Sequence, residues 1–147
     1  MAGFKVYDPD QVSISLGTIL IDPGAFADGE FLRIEKASDD FLSVVGSGGE
    51  VTRSRSNDRR ADITFVLMQS ASVNAELSIL SNLDRASPQG AGVVPLLIRD
   101  RSSNTTLFIA EKAWIKKTPD VSFDREATSR EWVIEVADLK EFHGGNL

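Results

Sequence analysis

The sequence contains no cysteine, one histidine and one tyrosine, and no apolar run approaching the length of a membrane span. Without cysteine there is no disulfide framework, no thiolate nucleophile and no thiolate metal site. This suits a protein of the cytoplasm or of a virus particle. The single histidine, His143, stands in a Gly-rich C-terminal stretch. A zinc site of ordinary ligand type is therefore not expected. Spanning helices need about 20 consecutive apolar residues, so none is expected. The opening Met1-Ala2-Gly3-Phe4-Lys5-Val6-Tyr7-Asp8-Pro9 also lacks the apolar stretch of a signal peptide. Positive charge is in deficit. Lys and Arg number 16 against 22 Asp and Glu, a formal net charge of -6, which repels nucleic acid except where a local basic cluster intervenes.

What remains is ordinary for a folded domain. Hydrophobic residues make up 41% and charged residues 26% of 147, enough for one domain with a sizeable core. Neither an internal repeat nor a linker of domain-separating length is visible, so a single domain over residues 1–147 is expected.

Period-two alternation dominates, which is the strand signal. Val12, Ile14, Leu16, Thr18 and Leu20 fall on one face of a first strand, and Asp22-Pro23-Gly24 reads as a turn. Further strands are expected over Phe31–Ala37 and Phe41–Val45, and around Ile63, Phe65 and Leu67. Another runs from Val93 to Arg99, with Pro95 at an edge or a bulge. After a Ser102-Ser103-Asn104 turn, Leu107, Ile109 and Ile115 share a face with Glu111 and Ala113. Trp132, Ile134 and Val136 mark the last strand. Gly46-Ser47-Gly48-Gly49 breaks the pattern, and the polar stretch to Arg60 reads as a loop projecting from the sheet. The tail from Phe142 reads as flexible. Only one helix is expected. Val73, Leu77, Leu80 and Leu83 recur about once per turn, Ser72 is placed as N-cap, Glu76 lies near the start, and Pro88 and Gly90 end it.

Several strands are apolar on both faces. Thr64, Val66 and Met68 back Ile63, Phe65 and Leu67, while Phe108, Ala110 and Trp114 back Leu107, Ile109 and Ile115. A monomeric antiparallel sheet usually keeps one face wet. With one helix available, either two sheets pack as a sandwich or neighbouring copies cover the second face.

Chemical sites fare poorly. Gly46-Ser47-Gly48-Gly49-Glu50 lacks the Lys-Ser/Thr and following helix of a phosphate-binding loop, and reads as a hairpin loop. Arg53, Arg55, Arg59 and Arg60 form a basic cluster with no interleaved aromatic residue, which removes a base-stacking platform. Glu50, Asp58 and Asp62 balance part of its charge, so contact with an acidic protein partner fits better than nucleic acid. A Ser-His-Asp triad would depend on the tail histidine, and no Gly-x-Ser-x-Gly elbow exists. Asp39 and Asp40 are adjacent and read as a turn. Trp114 and Trp132 read as core or interface residues rather than ligand-stacking ones. No catalytic residue, metal or cofactor is expected. A small-ligand-binding β-barrel is the alternative, and it requires a concave apolar pocket with converging polar groups.

A family resemblance fits these residues. Gly49-Glu50-Val51-Thr52-Arg53-Ser54, then Asn57-Asp58-Arg59, then the Ile63–Leu67 strand resemble a family of bacteriophage structural proteins. So do Gln69-Ser70-Ala71-Ser72-Val73-Asn74-Ala75-Glu76-Leu77, Ala113-Trp114-Ile115-Lys116-Lys117 with Pro119 and Phe123, and Glu131-Trp132 with Ile134. The order and spacing are similar from about Val12 onward, and members of that family are tail tube proteins.

The resemblance implies a mainly β domain, a β-sandwich or barrel with one flanking α-helix. Six copies would form a ring, and rings would stack into a hollow tail tube that conducts DNA without binding it specifically. It implies a virion protein assembled in the host cytoplasm. Its expected partners are itself, a baseplate hub, a tape-measure protein, a tail terminator and, if the tail contracts, a sheath. On this reading Gly48, Gly49, Glu50, Arg53, Arg55, Asp58 and Arg59 form an inter-subunit and ring-stacking loop. Glu131, Glu135 and Glu35 are the candidates to face the lumen. The first two point away from Trp132, Ile134 and Val136, while Glu35 shares its face with Arg33.

Overall fold

Alternation builds most of the fold. A computed structural model describes residues 3–102 and 105–145. Its main sheet has eight strands, seven of them in the order β2-β1-β7-β8-β9-β6-β3, with β10 pairing separately with β8. In chain order these are β1 (Val12–Leu16), β2 (Ile19–Ile21), β3 (Leu32–Lys36), β6 (Ala61–Met68), β7 (Val94–Asp100), β8 (Leu107–Lys117), β9 (Ser129–Val136) and β10 (Lys140–Phe142). Between β3 and β6 the chain makes a separate two-stranded ribbon of β4 (Phe41–Val45) and β5 (Val51–Arg55). One helix, α1 (Val73–Ala86), packs against β2 and β8. The chain is thus mainly β with one flanking helix, as the alternation predicts.

The core lies on one face of the sheet. Ile14 and Leu16, Ile63, Phe65 and Leu67, Leu96 and Ile98, and Trp132, Ile134 and Val136 are all buried there with Val73 and Leu77 of the helix. These positions alternate along each strand, so the pleat alone sends them to one side.

The first strand ends earlier than its alternation predicts. Gly17 has φ +61 and starts a hairpin, so β2 runs antiparallel to β1 with Leu16 opposite Ile19. The turn inverts the pattern. Ile21 is buried and Leu20 is 74% exposed, although Leu20 shares the parity of Val12, Ile14 and Leu16. A Cβ on Gly17 would meet Val94 Cβ at 3.1 Å, so both the dihedral angle and the packing demand glycine.

Pro95 sits in a central strand at a bulge. Val94 faces Ala113 and Leu96 faces Ala110, leaving Glu111 and Lys112 opposite Pro95. The missing proline N–H is not needed there, and the Pro95 carbonyl accepts the Gly17 N–H at 2.7 Å. The extra residue also shifts parity along β8, so Ala110 and Ala113 are both buried. Strict alternation, which places Ile109, Glu111, Ala113 and Ile115 on one face, fails for this reason.

The helix buries Val73, Leu77 and Ser81, while Leu80 is half-buried and Leu83 is 52% exposed. The inward stripe follows i, i+4, i+8 and drifts away from Leu83. Ser72 makes no side-chain cap bond. The Asn74 amide serves the preceding turn instead, donating to the carbonyls of Met68 (2.9 Å) and Ala71 (3.0 Å). Gly144 of the tail is bonded to the sheet's β7–β8 connection. Gly144 N–H donates to Thr106 Oγ1 at 3.2 Å, and the Thr106 hydroxyl returns a bond to the Gly144 carbonyl at 2.9 Å. Ser103, Asn104, Asn146 and Leu147, which belong to the predicted turn and tail, lie outside the described residues.

Candidate functional site

Within the stretch Gly46–Arg60, expected as a polar loop, Val51–Arg55 is a strand that pairs with the expected strand Phe41–Val45 to make a β-ribbon. β4 and β5 pair antiparallel from Phe41 opposite Arg55 to Val45 opposite Val51, and every residue of both strands is exposed. The sequence misleads because β5 reads Val-Thr-Arg-Ser-Arg, polar on both faces by ordinary standards. Its ladder partner supplies what it lacks.

The ribbon tip closes through Gly49 N–H to the Gly46 carbonyl (2.9 Å) and Gly46 N–H to the Glu50 carbonyl (2.7 Å), with Gly49 at φ +87. That left-handed residue is what the Gly48-Gly49 pair provides. At the base, Ser56 N–H donates to the Asp40 carbonyl at 2.8 Å and the Ser38 hydroxyl donates to the Asp58 carbonyl at 3.0 Å.

Register divides the ribbon into two faces. One carries Phe41, Val45, Val51, Arg53 and Arg55, with the Arg53 guanidinium 4.1 Å from the centre of the Phe41 ring. The other carries Leu42, Val44, Thr52 and Ser54 and no charge. Phe41, Leu42, Val44, Val45 and Val51 are between 45% and 67% exposed. Two strands alone are marginally stable in water, and so many apolar side chains on one projection mark an interaction surface.

The predicted contact residues therefore separate. Gly48, Gly49, Glu50, Arg53 and Arg55 stand on the projecting ribbon. Asp58 and Arg59 lie beyond it and are spent within the chain. Both Asp58 oxygens take 2.9 Å bonds from Arg60, whose side-chain and backbone donors hold the Asp58 pKa down at about 2. Arg59 donates twice to the Leu139 carbonyl, at 3.2 and 3.0 Å, and lies 3.5 Å from Asp138. Arg59 thereby ties the foot of the ribbon to the C-terminal segment.

A second clasp lies beside it. Lys36 of β3 pairs with Glu141 of β10, and His143 Nε2 is 3.6 Å from the other carboxylate oxygen. Burial pushes the Glu141 pKa up, but the Lys36 bond and charge, with His143, outweigh it and hold the group below its ordinary 4.5. A depressed carboxylate contributes stability that is present above its unfolded pKa and is lost as pH falls through the folded one. Glu141→Gln is therefore expected to lower the urea midpoint at pH 7. The gap to the parent protein should narrow on acidification through 4.5 and below, and a gap independent of pH would contradict this account.

The lumen candidates share the solvent-facing side of the sheet. Glu131 and Glu135 alternate with buried Arg130, Trp132, Ile134 and Val136. Register sets Glu35 beside Asp62 and Asp62 beside Glu135, a row of three carboxylates across β3, β6 and β9. Arg33 lies 2.6 Å from Glu35, and Lys116 of β8 bridges Asp62 (3.0 Å) and Glu135 (3.2 Å). Those two carboxylates raise the Lys116 pKa, Asp62 most. Glu131 has no ion-pair partner among the described residues. Four carboxylates thus stand against Arg33 and Lys116 on this stretch, with Arg60 nearby but bonded to Asp58 and Lys117 engaged by Asp120.

Two features escaped the sequence reading. One is the strand Val51–Arg55, which turns the expected strand Phe41–Val45 into an exposed apolar ribbon. The other is buried Arg130, which shares the inward parity of Trp132. No helix among the described residues is long and apolar enough to cross a membrane.

The same fold occurs in solved structures of contractile injection systems and of a phage-like particle. It matches a chain of the anti-feeding prophage tube-terminating cap at TM-score 0.60 and 10% identity, over 99% of this chain and 95% of that one. It matches a chain of the sheath–tube complex of an extracellular contractile injection system in its extended state at 0.60 and 11%, over 93% and 91%. A chain from the virion of a native gene transfer agent particle aligns at 0.61 and 13%, over 94% and 100%. In sequence, a structural protein, ORF10, of Pseudomonas phage KPP10 is 30% identical over 99% of this chain and 87% of its own length. The bacteriophage PhiTE tail tube protein family matches residues 16–144, and the chain belongs to it. It is a structural protein of the phage virion, a tail tube component and not an enzyme.

Proposed function

We propose that six copies of this chain close into a ring and that rings stack into the hollow tube through which DNA leaves the particle. The ribbon β4–β5 carries the reading, because all ten of its strand residues are exposed and half of them are apolar. Such a surface is stable in water only when something covers it, and in a tube that cover is the next copy. The sheet adds a second reason. Among the described residues its edge strands β2 and β3 each have a strand partner on one side only, and head-to-tail closure of a ring removes open edges that otherwise aggregate. Closure needs contacts on the scale of an obligate interface, roughly 2,000 Å² or more per neighbouring pair.

The tube then meets a baseplate hub and tape-measure protein at one stage of assembly, a terminator at its end and a sheath where the tail contracts. The small-ligand alternative finds no support in the core, where Ile63, Phe65, Leu67 and Ile134 leave nothing exposed. Cryo-electron microscopy of tails, or of the protein polymerised at high concentration, tests the reading. It should show six-fold rings with β4–β5 buried between copies. A tail structure with that ribbon bare to solvent, or a different ring symmetry, would refute it.

A further inference from the structure

A groove of about 340 Å³ runs between α1 and the connection that joins β8 to β9. It is lined by Arg130 and Trp132 of β9, Ser78 and Asn82 of the helix, and Pro119 and Val121 of the connection. Trp132 is fixed by its indole N–H, which donates to Asn74 Oδ1 at 2.9 Å.

Arg130 is 9% exposed, and its guanidinium meets only neutral acceptors. Nη1 donates to Thr128 Oγ1 (2.7 Å) and to the Ser129 carbonyl (3.0 Å), while the Phe123 ring centre lies 5.6 Å away. No carboxylate pairs with it among the described residues, and its Nε and Nη2 donate to none of them. Those two nitrogens are not enclosed and Arg130 lines the open groove, so a carboxylate brought from outside can reach them and form a charge-assisted pair. The rim is apolar as well, with Val121 59% and Phe123 81% exposed. The groove therefore suits a segment in which one carboxylate sits among aliphatic side chains.

The chain carries one such segment on a projection. Glu50 at the ribbon tip is exposed, has no ion-pair partner among the described residues, and is flanked by Val51 and its cross-strand neighbour Val45. Behind the tip come Arg53 and Arg55. The connection from β8 to β9 carries exposed Asp124 and Glu126 on either side of exposed Arg125, and neither carboxylate pairs with a cation among the described residues. We infer that the tip of β4–β5 of one copy docks in the Arg130 groove of a neighbouring copy, with Glu50 as the counter-charge of Arg130. The two arginines behind it face the acidic connection. This rests on the tube reading and adds to it a named pair of surfaces.

The absence of cysteine makes the test clean. Gly48→Cys with Asn82→Cys places one thiol at the tip and one beside the groove, both at exposed positions, with Glu50 kept and nothing within 4 Å of a Cβ on Gly48. Treated with a short bismaleimide, tubes of the double variant should give a ladder of linked subunits on a denaturing gel, and neither single variant should. Independently, Glu50→Gln should raise the protein concentration needed for polymerisation at least about thirtyfold, as loss of one partner of a charge pair buried on docking does. Tubes without the ladder, or polymerisation indifferent to Glu50→Gln, would overturn the inference and leave the tube reading standing. If the parent protein builds no tube, in tails or alone, both readings fall together.

Discussion

Leu42→Asp with Val44→Asp leaves the subunit folded and abolishes its assembly into tubes. Both side chains project from the uncharged face of β4, 63% and 67% exposed, and neither belongs to the core cluster. Folding therefore loses little when they change. Assembly loses much. Full burial of a leucine or valine contributes about 1.5–3 kcal/mol, and roughly two thirds of that remains to be gained when a neighbour covers the ribbon. Two positions account for about 2–4 kcal/mol per contact, between roughly 30-fold and 1,000-fold in affinity. The carboxylates add their own desolvation cost. Every subunit of a tube repeats the loss, so the effect on polymer length should be close to all-or-none. Circular dichroism should show the parent spectrum while sedimentation shows no polymer. Polymer of normal length would mean that this face of the ribbon stays wet.

The ribbon also shows where the sequence is legible and where it is not. Positions that alternate against a single core, such as Ile63, Phe65 and Leu67 or Trp132, Ile134 and Val136, can be read directly, because burial on one face enforces a period of two. The helix is legible for the same reason with a different period. Reading fails where the backbone spends a residue without advancing the pattern. Gly17 reverses the chain, and the bulge at Glu111 and Lys112 flips the parity of β8. Neither event changes local hydrophobicity, so neither leaves a mark in it.

The ribbon is illegible for a third reason. Every residue of its strands is exposed, so no inward face exists to impose alternation, and Val51–Arg55 reads as loop although Phe41–Val45 reads as a strand. Arg59 has its partners in a segment 80 residues away, at the Leu139 carbonyl. Spacing alone cannot separate it from Arg53 and Arg55, which remain free to meet a neighbour. The lumen candidates were easier, since their outward direction follows from strand parity alone. Their pairing did not. Lys116 and Arg33 neutralise much of Glu135 and Glu35, which leaves Glu131 the barest carboxylate of the three.

That ranking shapes the other large expected effect. Phage carrying Glu131→Lys with Glu135→Lys should build tails of normal length and deliver DNA at least about tenfold less efficiently. We propose that the solvent-facing side of β3, β6 and β9 lines the channel, so the wall presents Glu35, Asp62, Glu131 and Glu135 to the duplex against Arg33 and Lys116. Net repulsion over about one Debye length, ~8 Å at physiological salt, keeps the duplex from settling on the wall. The double substitution turns two carboxylates per subunit into cations. Lys116 keeps Asp62 as partner, so the sheet itself should tolerate the change. In a six-fold ring twelve new lysines then face the phosphates. Each phosphate neutralised releases counterions, so binding tightens steeply as salt falls. Ejection in vitro should therefore slow most at about 50 mM salt and recover toward the parent rate at several hundred millimolar. Glu131→Gln alone, which removes a charge without adding one, should have a far smaller effect. Normal infectivity in the double variant at low salt would move these residues off the channel wall. A channel of positive potential in a tail structure would defeat the acidic-wall account altogether.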